Sequence, residues 1–222
     1  MNASPARVVS VQTGMVAPLG PNRVPSAFAK RAVTGPVGIT ATGLDGDQQA
    51  DLKVHGGRDK AVYGYAESAY DFWRTARPGH AARLGPGAMG ENLTLAGIDE
   101  SRVFIGDRVR VGTALLQVTE PRQPCFKLAL AFDDPKLPRA FTRSGRCGWY
   151  YRVVEPGVVA AGDASECLDR PNPDWPVARF FEVITARASG RDTLADMLAI
   201  EGLGEGWKLK ALSGLARLRG GG

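Results

Sequence analysis

Three clusters in the sequence hold the side chains that could do chemistry. The densest runs from Gly46 to Lys60. It has no hydrophobic period, and it sets the adjacent glycines Gly56 and Gly57 beside His55, Arg58 and Lys60. A loop of this kind exposes backbone amides next to cations, which suits a phosphate or another oxyanion. A solvated Ω-loop has the same composition. The Walker spacing GxxxxGK[ST] is missing. No GxGxxG follows a strand pattern, so a dinucleotide fingerprint is not supported. The second cluster, Gly87 to Leu93, is a Gly-rich turn leading into Glu91 and Asn92. Strand alternation puts those two on opposite faces, so at most one of them points at a given site. The third cluster is Pro121-Arg122-Gln123-Pro124-Cys125-Phe126-Lys127. Cys125 falls where a strand ends and a helix begins, and that position between Arg122 and Lys127 favours thiolate character. Such a thiol can be a nucleophile, a persulfide carrier or a soft-metal ligand. The alternative is a buried, inert cysteine.

These clusters need elements to position them. Alternation and β-branched content predict strands over Arg7–Gln12, Val37–Ala41, Ala61–Tyr65, Glu91–Leu95, Asp107–Val111, Leu115–Thr119, Trp149–Val154 and Val158–Ala160. Gly14 to Gly35 reads as a long loop. Helical spacing predicts helices over Glu67–Ala76, from Cys125 to Phe132, and over Leu137–Thr142. The pattern changes at Pro171-Asn172-Pro173. The segment 171–176 reads as a linker, followed by helices over Val177–Arg187, Thr193–Ile200 and Trp207–Leu218. The expected organisation is a core domain over 1–170 and a three-helix domain over 177–222. Gly-Asp recurs at Gly46-Asp47, Gly106-Asp107 and Gly162-Asp163, which is turn chemistry.

Composition narrows the function classes. Of 222 residues, 44% are hydrophobic and 23% charged, as in a globular domain. The 28 glycines point to a turn-rich, mostly β fold. Lys and Arg number 28 against 23 Asp and Glu, a net +5 that fits an anionic small molecule as well as nucleic acid. No basic run or aromatic-interleaved stripe supports a nucleic-acid module. No apolar run is long enough for a membrane span and the N-terminus lacks a signal-peptide core, so the expected location is cytoplasmic. Three cysteines without a CxxC argue against a disulfide framework or zinc knuckle. The two histidines, His55 and His80, are too few for a His-rich metal site.

Taken in order, the clusters resemble the MOSC domain, the family named after the C-terminal domain of molybdenum cofactor sulfurase. The resemblance is carried by Gly46–Asp51 with His55–Ala61, Gly90–Leu93, Ile105–Arg108 and Pro121–Cys125. Gly145–Tyr150 with Arg152-Val153, and the three-helix tail, are similar to the stand-alone YiiM-type branch. The resemblance implies a MOSC-type β-barrel core with the cysteine at a cleft. It also implies binding of the molybdenum cofactor in its molybdopterin form. Cys125 would be the catalytic thiolate and the ligand to molybdenum. His55, Gly56, Gly57, Lys60, Asn92 and Arg122 would hold the pterin and its phosphate. The implied activity is reduction of N-hydroxylated compounds such as hydroxylaminopurine, with loss of the oxygen as water. A separate reductase would supply the electrons, because no flavin or nicotinamide motif is present. Pyridoxal phosphate is not expected. The rival roles are a sulfur carrier using a Cys125 persulfide and a non-enzymatic cofactor carrier.

Overall fold

The computed structural model describes residues 5–51, 56–186 and 190–220. An eight-stranded mixed sheet forms the core. Its strands are β1 (Arg7–Thr13), β4 (Arg31–Ala32), β7 (Val62–Ala66), β8 (Leu93–Ala96), β9 (Arg108–Val111), β10 (Ala114–Pro121), β11 (Trp149–Glu155) and β13 (Ser165–Asp169). They lie in the order β13-β9-β10-β11-β7-β8-β1-β4. β7 and β8 pair in parallel, and the helix α1 (Ala69–Ala76) provides the crossover that a parallel pair requires. The other pairings are antiparallel. β2 (Ala17–Leu19) pairs with β3 (Val24–Ser26), and β5 (Val37–Thr40) lies between β6 (Gly43–Leu44) and β12 (Gly157–Val159).

The fold is therefore mixed α/β, and the expected closed barrel is replaced by a sheet that curls without a complete closing ladder. Among the described residues, its ends meet through the single bridge Arg7–Ala164 and backbone bonds such as Val8 N to Asp163 O, 2.8 Å. The stretch 14–35, read as loop, contains β2, β3 and β4; strands of two or three residues leave no periodic signature. β10 is buried along all eight residues, so it sits inside the molecule rather than on a half-wet face. The core around it is aromatic: Trp73, Trp149, Tyr65, Tyr70, Tyr151 and Phe141 are all buried. The Trp73 indole N–H donates to the Tyr65 hydroxyl at 2.6 Å, which satisfies the polar atoms of both.

The recurring Gly-Asp pairs do the same job three times. Gly46, Gly106 and Gly162 all have positive φ. The following aspartates accept from the backbone amides of Gly14, Phe104 and Ala160 at 2.7, 3.1 and 2.8 Å.

After β10 come α2 (Phe126–Phe132) and α3 (Leu137–Ser144). The tail forms α4 (Val177–Thr185), α5 (Arg191–Ala199) and α6 (Glu205–Gly220). The proline-rich segment before it is pinned to the core. Ile105 N donates to Trp175 O at 2.9 Å, Val177 N donates to Val103 O at 2.8 Å, and the Asn172 amide donates to Ile105 O at 2.8 Å. Phe180, Phe181, Met197 and Ala211 are buried in the same apolar core as the strands, so the tail packs onto the sheet. Among the described residues, no helix is long and apolar enough to cross a membrane.

Candidate functional site

A cleft opens where β3, the loop before β7, β11 and the start of α2 converge. Lys60, Asn92, Arg122 and Cys125 all line it, so three sequence clusters separated along the chain meet in space. Cys125 is the N-cap residue of α2 and half-buried, with its thiol at the cleft. The other cysteines are elsewhere: Cys147 is buried and Cys167 exposed on β13. Burial pushes the Cys147 thiol well above its ordinary value, which keeps it protonated and inert.

Arg122 forms the floor of the cleft. The two prolines around it, Pro121 and Pro124, stiffen the path out of β10. Its guanidinium donates to the Met89 carbonyl and, at 3.3 Å, to the Tyr63 hydroxyl. It also lies over the rings of Tyr63, Phe28 and Phe141 at 4.8, 5.4 and 5.9 Å. Burial opposes its charge, but the Tyr63 and Tyr150 hydroxyls and the Cys125 sulfur outweigh burial and hold its pKa above the ordinary value. Burial is also the main reason that the Tyr150 hydroxyl is pushed up to about 12, so it stays a donor in the cleft.

Asn92 borders the cleft, but its amide is committed. Oδ1 accepts from Tyr63 N at 3.0 Å, and Nδ2 donates to Asp47 Oδ2 at 2.8 Å and to Gln12 O at 3.3 Å. It positions the wall. Glu91 points away, as alternation requires, and accepts from the amides of Gly87 and Met89 and from the Thr94 hydroxyl, 2.7–3.1 Å. Gly56 and Gly57 do not line the cleft. Gly57 N donates to Gln49 Oε1 at 3.0 Å, and so fixes the side chain that does. The loop amides of Asp47, Gln48 and Lys60 likewise bond to backbone carbonyls. These described amides are thus used internally, and side-chain cations put positive charge along the cleft. His55 lies outside the described residues.

Residues outside the predicted cofactor-binding set complete the site. Lys30 pairs with Asp47, and both side chains are at least 94% buried (6% and 5% exposed). Lys127, the second residue of α2, donates to Pro25 O at 3.0 Å. Tyr63, Tyr150, Gln49 and Gln123 add polar atoms. Among the described lining residues, Lys30, Lys60, Arg122 and Lys127 stand against Asp47 and Asp51, four cations to two carboxylates. One thiol beside such an excess of cations fits an anionic ligand carrying a soft metal, because a thiolate suits the metal and Lys or Arg suits a phosphate. No group of three or more His, Cys, Asp or Glu that could by itself cage a metal is found among the described residues.

Residues 51–166 match the MOSC domain family. Protein YiiM of Escherichia coli (strain K12) is 37% identical over 199 residues, which cover 90% of this chain and 88% of that protein. A protein of Gibberella moniliformis named Reductase is 39% identical over 174 residues, covering 78% of this chain but only 31% of its own length. The crystal structure of YiiM from Geobacillus stearothermophilus superposes with a TM-score of 0.80 at 29% identity, covering 95% of this chain and all of that one. With one family matching across the cleft motifs and full-length relatives that extend the match through the helical tail, this chain belongs to the MOSC domain family and is of the YiiM type.

Proposed function

We propose that the cleft binds the molybdenum cofactor in its molybdopterin form and reduces N-hydroxylated compounds, such as hydroxylaminopurine, with electrons from a separate reductase. The observation that carries this reading is the placement of the half-buried Cys125 thiol at the mouth of a cleft whose floor is the buried Arg122 and whose walls hold Lys30, Lys60 and Lys127. When bound, the cofactor would supply two-electron redox chemistry. The chain's own residues do the rest. Cys125 ligates the metal, Arg122 holds the anionic end, Lys60 faces the reacting centre, and Tyr63 and Tyr150 present neutral hydroxyls. The Phe28 and Tyr63 rings exclude water from the floor. The resemblance to a fungal protein named Reductase supports the reaction class.

The test is metal and thiol-mass analysis of protein made in a host that synthesises the cofactor, wild type beside Cys125→Ala. The reading expects stoichiometric molybdenum in the wild type and its loss in the variant, with the fold intact by circular dichroism. Equal molybdenum in both proteins overturns ligation by Cys125. Extra sulfur on Cys125 without molybdenum would instead establish the sulfur-carrier role.

A further inference from the structure

A second chamber backs onto the cleft on the side of the helical tail. It is lined by Glu120 from the core and by Gly206, Trp207 and Lys210 from α6. Lys60, Gln123 and Tyr150 line both compartments and form the partition between them. The Lys60 ammonium crosses this partition, with Nζ 3.2 Å from Glu120 Oε1. Glu120 itself does not line the cleft. Its carboxylate is buried near the end of β10, with Gly204 approaching so closely that a β-carbon there would overlap Oε2. The charged groups that face it are Lys60 and Asp59 from the turn before β7 and Lys210 from α6.

We infer that Glu120 and Lys60 form a proton relay, drawing protons from the chamber beneath α6 and delivering them into the cleft. This rests on the reductive reading of the cleft. That reaction consumes protons as well as electrons: R–NH–OH + 2 e⁻ + 2 H⁺ gives R–NH₂ + H₂O. The N–O bond breaks, and one N–H and one O–H bond form. The two electrons come from the partner reductase. Each proton comes from the Lys60 ammonium, which lines the cleft and becomes a neutral amine. The Glu120 carboxyl then returns a proton to that amine, and a proton taken up from bulk solvent through the chamber restores the carboxyl. Two passes complete a turnover. Burial raises the affinity of Glu120 for its proton, more than Lys60 lowers it, so the carboxyl can hold a proton where an exposed one would not. Lys60 is the donor that faces substrate. Glu120 acts through it and is a positioning and recharging residue.

The experiment compares wild type, Glu120→Gln and Glu120→Asp, each loaded in a cofactor-producing host and assayed with hydroxylaminopurine and reduced methyl viologen across pH. Molybdenum content should match in all three. Turnover in Glu120→Gln should fall about 100-fold, the low end of what a proton-transfer group contributes. The fall in turnover on the alkaline side, where Glu120 loses its proton, should disappear with it. Glu120→Asp, which can still carry a proton, should recover more activity than the isosteric Gln. A purely structural carboxylate would give the reverse order, and wild-type turnover in Glu120→Gln overturns the relay. A second readout does not depend on turnover. The infrared difference spectrum of wild type minus Glu120→Gln should hold one carboxyl band that titrates above the ordinary carboxylate range and shifts in Lys60→Met. A band that titrates in the ordinary range, or ignores Lys60, overturns the relay whatever the assay gives. A wild type without turnover but with that band would instead refute the reductive reading.

Discussion

Replacing Asp47 by Asn tests whether the cleft wall depends on one buried ion pair. Asp47 Oδ1 accepts from Gly14 N at 2.7 Å and from the Lys30 ammonium, while Oδ2 accepts from Asn92 Nδ2 at 2.8 Å. An asparagine can accept on one side only. If its carbonyl keeps Gly14 and Lys30, its NH₂ faces the Asn92 NH₂, donor against donor. Lys30 also loses its counter-ion while 6% exposed. Removing one partner of a buried pair costs about 3–5 kcal/mol. We expect about 4 kcal/mol at pH 7, which for a chain of this size is a fall in Tm of roughly 8–16 °C. The pH dependence gives the prediction its sign. Burial already holds the Lys30 pKa below its ordinary 10.5, and Asp47 pulls it back up. Without Asp47 the depression deepens. Stability tied to a depressed lysine is complete above its unfolded pKa and is lost as pH falls through the folded one. The deficit of the variant should therefore shrink between pH 7 and pH 10, as folded Lys30 gives up its proton in the variant before it does in the wild type. The assay is urea unfolding of both proteins at several pH values. A deficit below about 1 kcal/mol, or one that does not change with pH, would refute the account, since a pair of that size is an exposed one.

Three further substitutions probe other parts of the same framework. Gly148→Ala should cost about 2–4 kcal/mol, because Gly148 has φ 64° and a β-carbon would sit 2.7 Å from the Tyr63 ring and overlap Gly64 O; calorimetry checks it, and an unchanged Tm would contradict this packing. Glu100→Gln should gain on the wild type as pH rises. Burial raises the pKa of Glu100, which accepts from Gly148 N at 2.7 Å, so its favourable contribution is full below its ordinary 4.5 and is lost as pH climbs through the raised value. Denaturant midpoints from pH 4 to pH 8 measure this, and a constant gap between the two proteins would contradict it. Trp207→Ala should cost about 3 kcal/mol, near the low end for a buried aromatic, because the indole packs edge-on to Phe180 at 5.8 Å while part of it lines the chamber. Urea unfolding is the measurement, and a loss under 1 kcal/mol would mean that the tail docks without Trp207.

The helical tail was legible because Val177, Phe180, Phe181 and Ile184 repeat at the spacing that buries one stripe, and those are the residues that meet the sheet. Cys125 was legible for a related reason. Pro121 ends β10 and Phe126 begins α2, so the turn that carries the thiol is written in the chain. The loop from 46 to 60 was only half legible. Its composition fits an anion site or a solvated loop alike, and it does not say that Gly57 N will turn inward onto Gln49 or that Asp47 will face Lys30. Such pairings are set by tertiary approach and leave no period in the sequence. Tyr63 and Tyr150 were hidden similarly, since in a strand they read as core until their hydroxyls are seen to reach Arg122 and the cleft. The curl of the sheet was beyond reach because it depends on how Arg7 meets Ala164, a single bridge between distant segments.

The short turn Arg58–Lys60 ties these observations together. Its middle residue holds the tail. Asp59 accepts from the amide of Glu205, the first residue of α6, at 2.8 Å, and pairs with Arg152 on β11 at 2.8 Å. The Asp59 carbonyl accepts from the Thr119 hydroxyl on β10 at 2.6 Å. The carboxylate at the start of α6 is also favoured by the positive end of the helix dipole. The next residue, Lys60, faces the cleft and reaches Glu120. A backbone only one residue long thus separates the docking of the tail from the placement of the cleft's ammonium group. Displacement of α6 would remove a ligand of Asp59 and one wall around Glu120 in the same event. The three-helix tail is therefore tied to the cleft through two adjacent residues, Asp59 at the start of α6 and Lys60 at the cleft.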